Sequence, residues 1–132
     1  MIKLYVSQEG NDSWSGKIPV PNENNSDGPF RTIQRAKEEI TKQKVNGELK
    51  QPIVFYMKRG TYFIDKPIIF TSDDSGTSQF PVLFTSFKKE KVVISGSKKI
   101  EKLEETEING KKTIIFNVPF IEGDLKEIFI NG

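Results

Sequence analysis

The chain has 132 residues, the length of one ordinary domain, and its 20 Lys and Arg against 18 Asp and Glu leave a net charge of +2. The basic residues are spread along the sequence rather than gathered into one stripe, which argues against nucleic-acid binding. The absence of both Cys and His excludes disulfides, thiol nucleophiles, the usual zinc ligand sets and catalytic relays that use His.

The N-terminal segment predicts a strand followed by a long polar loop. The side chains of residues 2–6 alternate in character as those of a strand do, and residues 10–28 are rich in Asn, Asp, Ser, Gly and Pro. The apolar start is too short for a secretion signal, and no apolar run approaches the about 20 residues that span a bilayer. We therefore expect no membrane partner and find no signal peptide in this chain.

One amphipathic helix is predicted over residues 33–44. Thr32 provides a start signal and Asn46–Gly47 a stop signal. Its apolar residues recur at spacings of three and four and form one narrow stripe: Ile33, Ala36 and Ile40.

Short apolar runs that resemble one another follow the helix. Two aliphatic residues, a Phe and a polar or amphipathic residue recur in Ile53–Tyr56, Ile68–Thr71, Val82–Thr85 and Ile114–Asn117. The first and third of these runs start 29 residues apart, and Tyr62–Ile64 recurs 30 residues later as Val92–Ile94. A period of this size, built from strands, predicts a β-solenoid whose windings pair in parallel, with a third winding that begins near Ile114.

A β-sandwich is the competing interpretation of several short strands separated by turns. A sandwich needs two-residue hairpin turns, whereas a solenoid does not. Asn109–Gly110 is the one sequence that reads as such a turn, and a single hairpin is compatible with an excursion from a winding. The solenoid is therefore favoured.

A solenoid has two open ends, each with an exposed apolar cross-section and unpaired backbone groups. The predicted helix is placed to cover the first end, and residues 127–130 predict an exposed strand edge at the other. We expect a single domain over 1–132, with strand, loop and capping helix in 1–48 and the first windings in 49–132. The uncovered edge predicts a truncated solenoid and self-association through that edge.

Several segments, taken in order, resemble the N-terminal region of pectate-lyase-like right-handed parallel β-helix proteins. They are Leu4–Ser7, Gly10–Asp12, Gly28–Ala36, Arg59–Tyr62, Asp74–Thr77, Pro81–Val82, Val93–Gly96 and Ile128–Gly132. The resemblance implies a right-handed parallel β-helix with one capping α-helix. It also implies a secreted or periplasmic bacterial protein that acts on a polysaccharide as a glycoside hydrolase or a polysaccharide lyase.

In that family the catalytic acids come from later windings, so the resemblance assigns no catalytic residue to this chain. The predicted function is the cap and first windings of such an enzyme, most directly a glycoside hydrolase, with a polysaccharide or oligosaccharide bound by the full-length protein. The alternative is a non-enzymatic β-solenoid that serves as a carbohydrate-binding or adhesin module. A third interpretation, a complete enzyme, would need its own carboxylates.

Asp73 and Asp74 are the adjacent carboxylates that a complete enzyme could use, because glycoside hydrolysis employs a pair of acids. Neighbouring residues on a strand point to opposite faces and could not flank one bond. Because Ser75–Thr77 follow, we expect both to be turn residues that bond nearby backbone N–H groups.

Two residues are predicted to touch substrate. Trp14, the single Trp, offers an indole face to a sugar, or else pins the polar loop to the body of the domain. Arg59 pairs with an acidic saccharide, or else bonds nearby carbonyls at a corner where Gly60 permits a positive φ.

No cofactor is predicted, and calcium is the one open alternative. The polar loop supplies enough oxygen for a calcium ion, from Asn11, Asp12, Asn22, Asn24, Asn25 and Asp27. Their spacing matches no calcium loop, since Trp14 stands where an EF-hand would place a ligand. Hydrogen bonds within the loop are the use that we expect.

Overall fold

Parallel strands and one helix make up most of the described chain. The computed structural model describes residues 1–98 and 102–116. The chain divides into two compact units, Met1–Ser97 and Lys98–Gly132. A single domain over 1–132, with a cap in 1–48 and windings in 49–132, stays a prediction.

Six regular elements form the first unit. They are β1 (Ile2–Val6), α1 (Ile33–Lys42), β2 (Ile53–Met57), β3 (Gly60–Phe63), β4 (Val82–Ser86) and β5 (Val92–Ser95). One sheet has the order β1–β2–β4, the other pairs β3 with β5, and every pairing is parallel. The expectation of a mainly β chain with one helix and parallel sheets is therefore confirmed. Parallel pairing is incompatible with an antiparallel sandwich in this unit.

The pairing of β2 with β4 has the register that the sequence repeat predicts. Ile53 pairs with Val82, 29 residues later, and the match continues to Met57 and Ser86. Because successive side chains alternate between faces, this register places the Phe55 ring against that of Phe84, with centroids 4.5 Å apart and planes 14° from parallel.

The predicted register of β5 is wrong by two residues. Tyr62 pairs with Ile94, 32 residues later, and not with Val92 as the spacing of 30 suggested. The cause is a longer connection: two residues join β2 to β3, whereas five join β4 to β5. The extra residues form a 3₁₀ turn in which Lys88 and Lys89 have φ of 48° and 62°.

The run Ile68–Thr71 is not a strand, contrary to prediction. Pro67 removes a backbone donor directly before it, and Thr71 already caps a 3₁₀ turn at Ser72–Asp74, so the run is too short to pair. Ile69 and Phe70 are exposed, although the edge of the Phe70 ring meets the Phe84 ring at 5.8 Å.

The helix ends two residues before its predicted end. Thr32 is the N-cap and accepts a hydrogen bond from the backbone N–H of Arg35, while the N–H of Gln43 closes the last turn. The predicted stripe is buried and joins one core with β1, β2 and the loop residue Phe30: Ile33, Ala36 and Ile40. Within the described ranges, no helix is long and apolar enough to cross a membrane.

The second unit contains an antiparallel hairpin of β6 (Lys102–Ile108) and β7 (Lys111–Phe116). Asn109 and Gly110 both have positive φ, which is the two-residue turn that the sequence predicts. The prediction of a third parallel winding from Ile114 is wrong for the described residues, because this turn pairs β7 with β6 instead. The predicted edge at 127–130 lies outside the described residues.

We expect Phe55→Ala to lower the free energy of unfolding by about 3–5 kcal/mol, because the ring is fully buried and its removal leaves a cavity beneath Phe84. Leu83→Ala is the control, since Leu83 is about half exposed and lies on the other face of β4; its cost should stay within about 0.5 kcal/mol. Urea unfolding of both variants measures the difference. Equal costs would contradict the described register.

Candidate functional site

A groove runs along β3 in the first unit. It consists of two cavities of about 720 Å³ and 660 Å³ that share Gln8 and Thr61. The first extends past Phe63 towards Arg31 at the start of α1, and the second extends to the corner at Arg59. We call the two together the β3 groove.

The local sequence explains why the β3 groove has this floor. Strand alternation points Tyr62 into the core and leaves Thr61 and Phe63 on the outward face. Gly60 has φ of 144°, as the sequence predicts, and a Cβ at this position would lie 2.5 Å from Oε1 of Gln8. The absence of that Cβ allows Gln8 to lie against the strand, where its amide donates to the Thr61 carbonyl.

Tyr62 anchors the floor from beneath. Its hydroxyl donates to the Lys58 carbonyl at 2.8 Å, and the Val6 carbonyl lies 3.1 Å away. Burial, reinforced by the negative charge of Glu90, raises the pKa of Tyr62 to about 12. The phenol is therefore protonated at neutral pH and acts as a fixed donor that ties β3 to β1 and β2.

Positive side chains outnumber negative ones along the β3 groove. Five cations line it: Arg31, Lys58, Arg59, Lys66 and Lys91. None of the five side chains forms a hydrogen bond or an ion pair with any described residue. Three carboxylates line it as well: Glu9, Asp65 and Glu90.

Arg59 occupies the predicted corner between β2 and β3. Its backbone N–H donates to a carboxylate oxygen of Glu90 at 2.6 Å, which joins this corner to the one after β4. Its exposed guanidinium bonds no carbonyl among the described residues, so the corner is held by the backbone of Arg59 and its side chain projects into the β3 groove. Contact with a saccharide stays a prediction.

Trp14 is not among the residues that line the β3 groove. Its half-buried indole packs against Gly28 so closely that a Cβ there would lie 2.4 Å from the ring. The neighbours of this contact are bonded to each other as well. The carboxylate of Asp27 accepts hydrogen bonds from the backbone N–H and the hydroxyl of Ser15, and these bonds lower the pKa of Asp27. The ring thus belongs to the packing of the polar loop, and its contact with sugar stays a prediction.

Four of the six residues considered for calcium accept hydrogen bonds with their side-chain oxygens, namely Asn11, Asp12, Asn22 and Asp27. The Asp12 carboxylate accepts from the backbone N–H groups of Arg31 and Thr32 and from the Thr32 hydroxyl. The Asn22 side-chain oxygen accepts from two backbone N–H groups, those of Ser26 and Asp27. Among the described residues, no group of three or more acidic, His or Cys side chains is arranged to hold a metal ion.

Asp73 and Asp74 both lie in a turn, as expected, but only the Asp74 side chain bonds a backbone N–H group. The Asp74 carboxylate accepts from the backbone N–H of Thr71 at 2.8 Å and pairs with Lys37 of α1 at 3.2 Å. The backbone carbonyl of Asp73 accepts from the Lys44 ammonium. Both contacts tie the turn to the helix segment, and nothing in this arrangement presents two carboxylates to one bond.

Sequence reasoning found Arg59 and Gly60 but missed most of the β3 groove. Residues from four distant segments form it, around positions 8, 31, 61–66 and 90. The available signal was strand alternation in Gly60–Phe63, which places Thr61 and Phe63 outward. The fold is needed to place Gln8 and Arg31 beside them.

No family model matches the chain. No curated protein matches it either. A solved structure described as a glycoside hydrolase is similar, with a TM-score of 0.64 and 22% sequence identity over 83% of this chain. The chain spans 17% of that structure's length. At this identity, the likeness shows a shared fold.

We expect Asp74→Asn to lower the melting temperature at pH 7 and to lose this effect in acid. The hydrogen bond from the Thr71 backbone and the Lys37 ammonium lower the pKa of Asp74, so its stabilising contribution is present above the unfolded value near 4 and disappears as pH falls through the folded value. Melting curves from pH 7 to pH 2 measure it.

Asp73→Asn is the matched control, because the Asp73 side chain is exposed and accepts no hydrogen bond from a described residue. A constant difference between Asp74→Asn and the parent chain across this pH range would contradict the assigned role of the Asp74 carboxylate.

Proposed function

We propose that this chain forms the N-terminal cap and first windings of a right-handed parallel β-helix, within a glycoside hydrolase whose catalytic acids lie in later windings. The path of the chain supports the proposal. It leaves β2 for β3 in a second sheet and returns to β4, which pairs in parallel with β2; it then repeats the passage to β5, which pairs with β3. Repeated passage between two parallel sheets is how a β-solenoid winds.

The partly exposed core residues of β4 and β5, the last strands of the first unit, carry the proposal. Ile94 pairs with the buried Tyr62 and therefore faces inward, yet it is 55% exposed. Phe84 rests on Phe55 and is covered only in part. A further winding, with apolar side chains stacked on these two, would bury both, whereas a finished domain would leave this apolar surface in water at a cost.

The opposite side of the core is already closed. The buried stripe of α1 packs against the residues of β1 and β2 that face inward, including Leu4 and Ile53. Because a capped side and an uncovered side occur together, growth of the solenoid from β4 and β5 is the natural direction. The similarity of the fold to a protein described as a glycoside hydrolase supports this choice of enzyme class.

We expect the chain of residues 1–132 to cleave no polysaccharide. Lys37 pairs with the Asp74 carboxylate and Lys44 donates to the Asp73 backbone carbonyl, so the two acids are held in a turn and do not face one bond. Reducing-end release from a panel of plant and animal glycans tests for hydrolysis, and absorbance of unsaturated sugars tests for lyase activity. The reading frame after Gly132 should encode further windings with paired acids, and the longer product should cleave one of these glycans. A stop codon directly after Gly132, or cleavage by residues 1–132 that Asp74→Asn abolishes, would overturn the proposal.

We also expect residues 1–132 to self-associate through the uncovered edge of β4 and β5, because each has a partner strand on one side only among the described residues. Light scattering over a range of concentrations should show mass increasing beyond that of one chain. Ile94→Lys should shift the equilibrium towards monomer, whereas Leu83→Lys, on the outward face of β4, should not. A monomer at every concentration would contradict this expectation.

A further inference from the structure

We propose that the free edge of β3 binds an extended, acidic segment of another polypeptide, which adds to the β3–β5 sheet as a further strand. Neither this edge nor its chemistry depends on the enzyme class proposed above. The two sheets differ in size, because three strands form the β1–β2–β4 sheet and two form the β3–β5 sheet. After β1 the chain enters the long polar loop instead of crossing to the other sheet, so β1 has no counterpart beside β3.

The backbone of β3 has unused hydrogen-bonding groups along this free edge. The N–H groups of Gly60 and Ile64 donate to carbonyls in residues 91–95, on the side of β5. Because the backbone groups of a strand alternate between its two edges, the N–H groups of Thr61 and Phe63 point away from β5. Among the described residues they donate to no acceptor. A row of unpaired groups of this kind is a template for a further strand.

Gln8 already makes one of the bonds that an added strand would make. The carbonyl of Thr61 lies on the free edge together with its N–H group, and the side-chain amide of Gln8 donates to it. Gln8 is exposed. The backbone N–H of an incoming peptide would therefore replace the Gln8 amide at the same carbonyl.

Open space lies along the free edge. The first cavity of the β3 groove, of about 720 Å³, is lined by residues 61–68 and, from elsewhere in the chain, by Gln8 and residues 31–34. A strand added here would lie about 4.8 Å from β3, and its side chains would alternate between the core side and the outward side. On the outward side they would meet Phe63, which is 48% exposed. Apolar residues in the peptide would cover this ring.

The charges of the cavity favour a peptide that carries carboxylates. Arg31 and Lys66 line it, and neither exposed side chain pairs with a described residue. Asp65 is the one carboxylate among the described residues that line it. The adjoining cavity adds three cations and two carboxylates. In strand addition the main chain supplies affinity and the side chains supply specificity, so this excess of positive charge selects acidic segments.

The test compares three capped hexapeptides by calorimetry at low salt. One alternates Glu and Val, the second has Gln in place of Glu, and the third is the Glu–Val peptide with N-methylated backbone amides. We expect residues 1–132 to bind the Glu–Val peptide about tenfold more tightly than the Gln–Val peptide, and this preference to decrease as salt screens the charges. N-methylation should weaken binding by about tenfold or more, because it removes backbone donors and keeps the side-chain charges.

Amide hydrogen exchange, followed by NMR, locates the bound peptide. The amides of Thr61 and Phe63 should become protected when the Glu–Val peptide binds, because both would donate to it. The amide of Tyr62 points towards β5 and should be protected with and without peptide. The amide of Ile94 lies on the opposite, free edge of β5, and its protection should not change.

A charge reversal tests the specificity. Arg31→Glu should weaken binding of the Glu–Val peptide by about tenfold, because it replaces an attraction with a repulsion, and should leave binding of the Gln–Val peptide unchanged. Lys42→Glu is the matched control, since Lys42 is exposed at the other end of α1 and does not line the β3 groove. It should change the affinity for neither peptide. Circular dichroism checks that both variants keep the fold.

Several outcomes would overturn the proposal. They are absence of binding at about 1 mM Glu–Val peptide, equal affinity for the Glu–Val and Gln–Val peptides, and undiminished binding after N-methylation. Protection of Ile94 in place of Thr61 and Phe63 would also overturn it, because the peptide would then lie on the other edge of the sheet. All these measurements use residues 1–132 alone, so their result is separate from whether the longer reading frame encodes an enzyme.

Discussion

The register in which β4 lies on β2 is the constraint on which the first unit depends. Ile53 pairs with Val82, and this match brings Phe55 and Phe84 into a stack inside the core. Side chains alternate along a strand, so a slip of one residue would turn every core-facing side chain of β4 to the outside. The corners that follow β2 and β4 start from matched positions. The pairing of β3 with β5, and with it the floor of the β3 groove, therefore depends on this register together with the longer connection after β4.

The long polar loop contributes to the same core while it remains polar. Phe30, which follows the loop by two residues, is fully buried, and the Arg35 guanidinium lies 4.4 Å above the Phe30 ring. Asp12 accepts hydrogen bonds from the backbone at the start of α1, and Thr32 caps the helix. A loop can approach a core in this way only if its own polar atoms are satisfied. The abundant Asn, Asp and Ser residues meet this need with hydrogen bonds, such as those that Asp12 and Asn22 accept.

The sequence predicted strand pairing correctly where two strands carry the same apolar pattern, and wrongly where an unmarked turn or a missing neighbour decided the outcome. The spacing of 29 residues revealed the β2–β4 register, because both strands carry the same apolar pattern in the core. The β3–β5 register was predicted wrongly, since Lys88 and Lys89 adopt positive φ without the Gly or Asn that usually signals such a turn. Ile68–Thr71 had the composition of a strand, but a strand needs a neighbour, and composition does not reveal whether one is within reach.

The candidate site was less predictable than the fold for a related reason. The corner of Arg59 and Gly60 was visible because glycine marks a backbone requirement, but the β3 groove also needs Gln8 and Arg31 from segments that the repeat does not include. The β3 groove lies beside β3, away from the free edges of β4 and β5. Further windings would add to the free edges of β4 and β5, in the direction of the hydrogen bonds, and would leave the outward faces of the existing strands in place. The β3 groove is therefore compatible with growth of the solenoid.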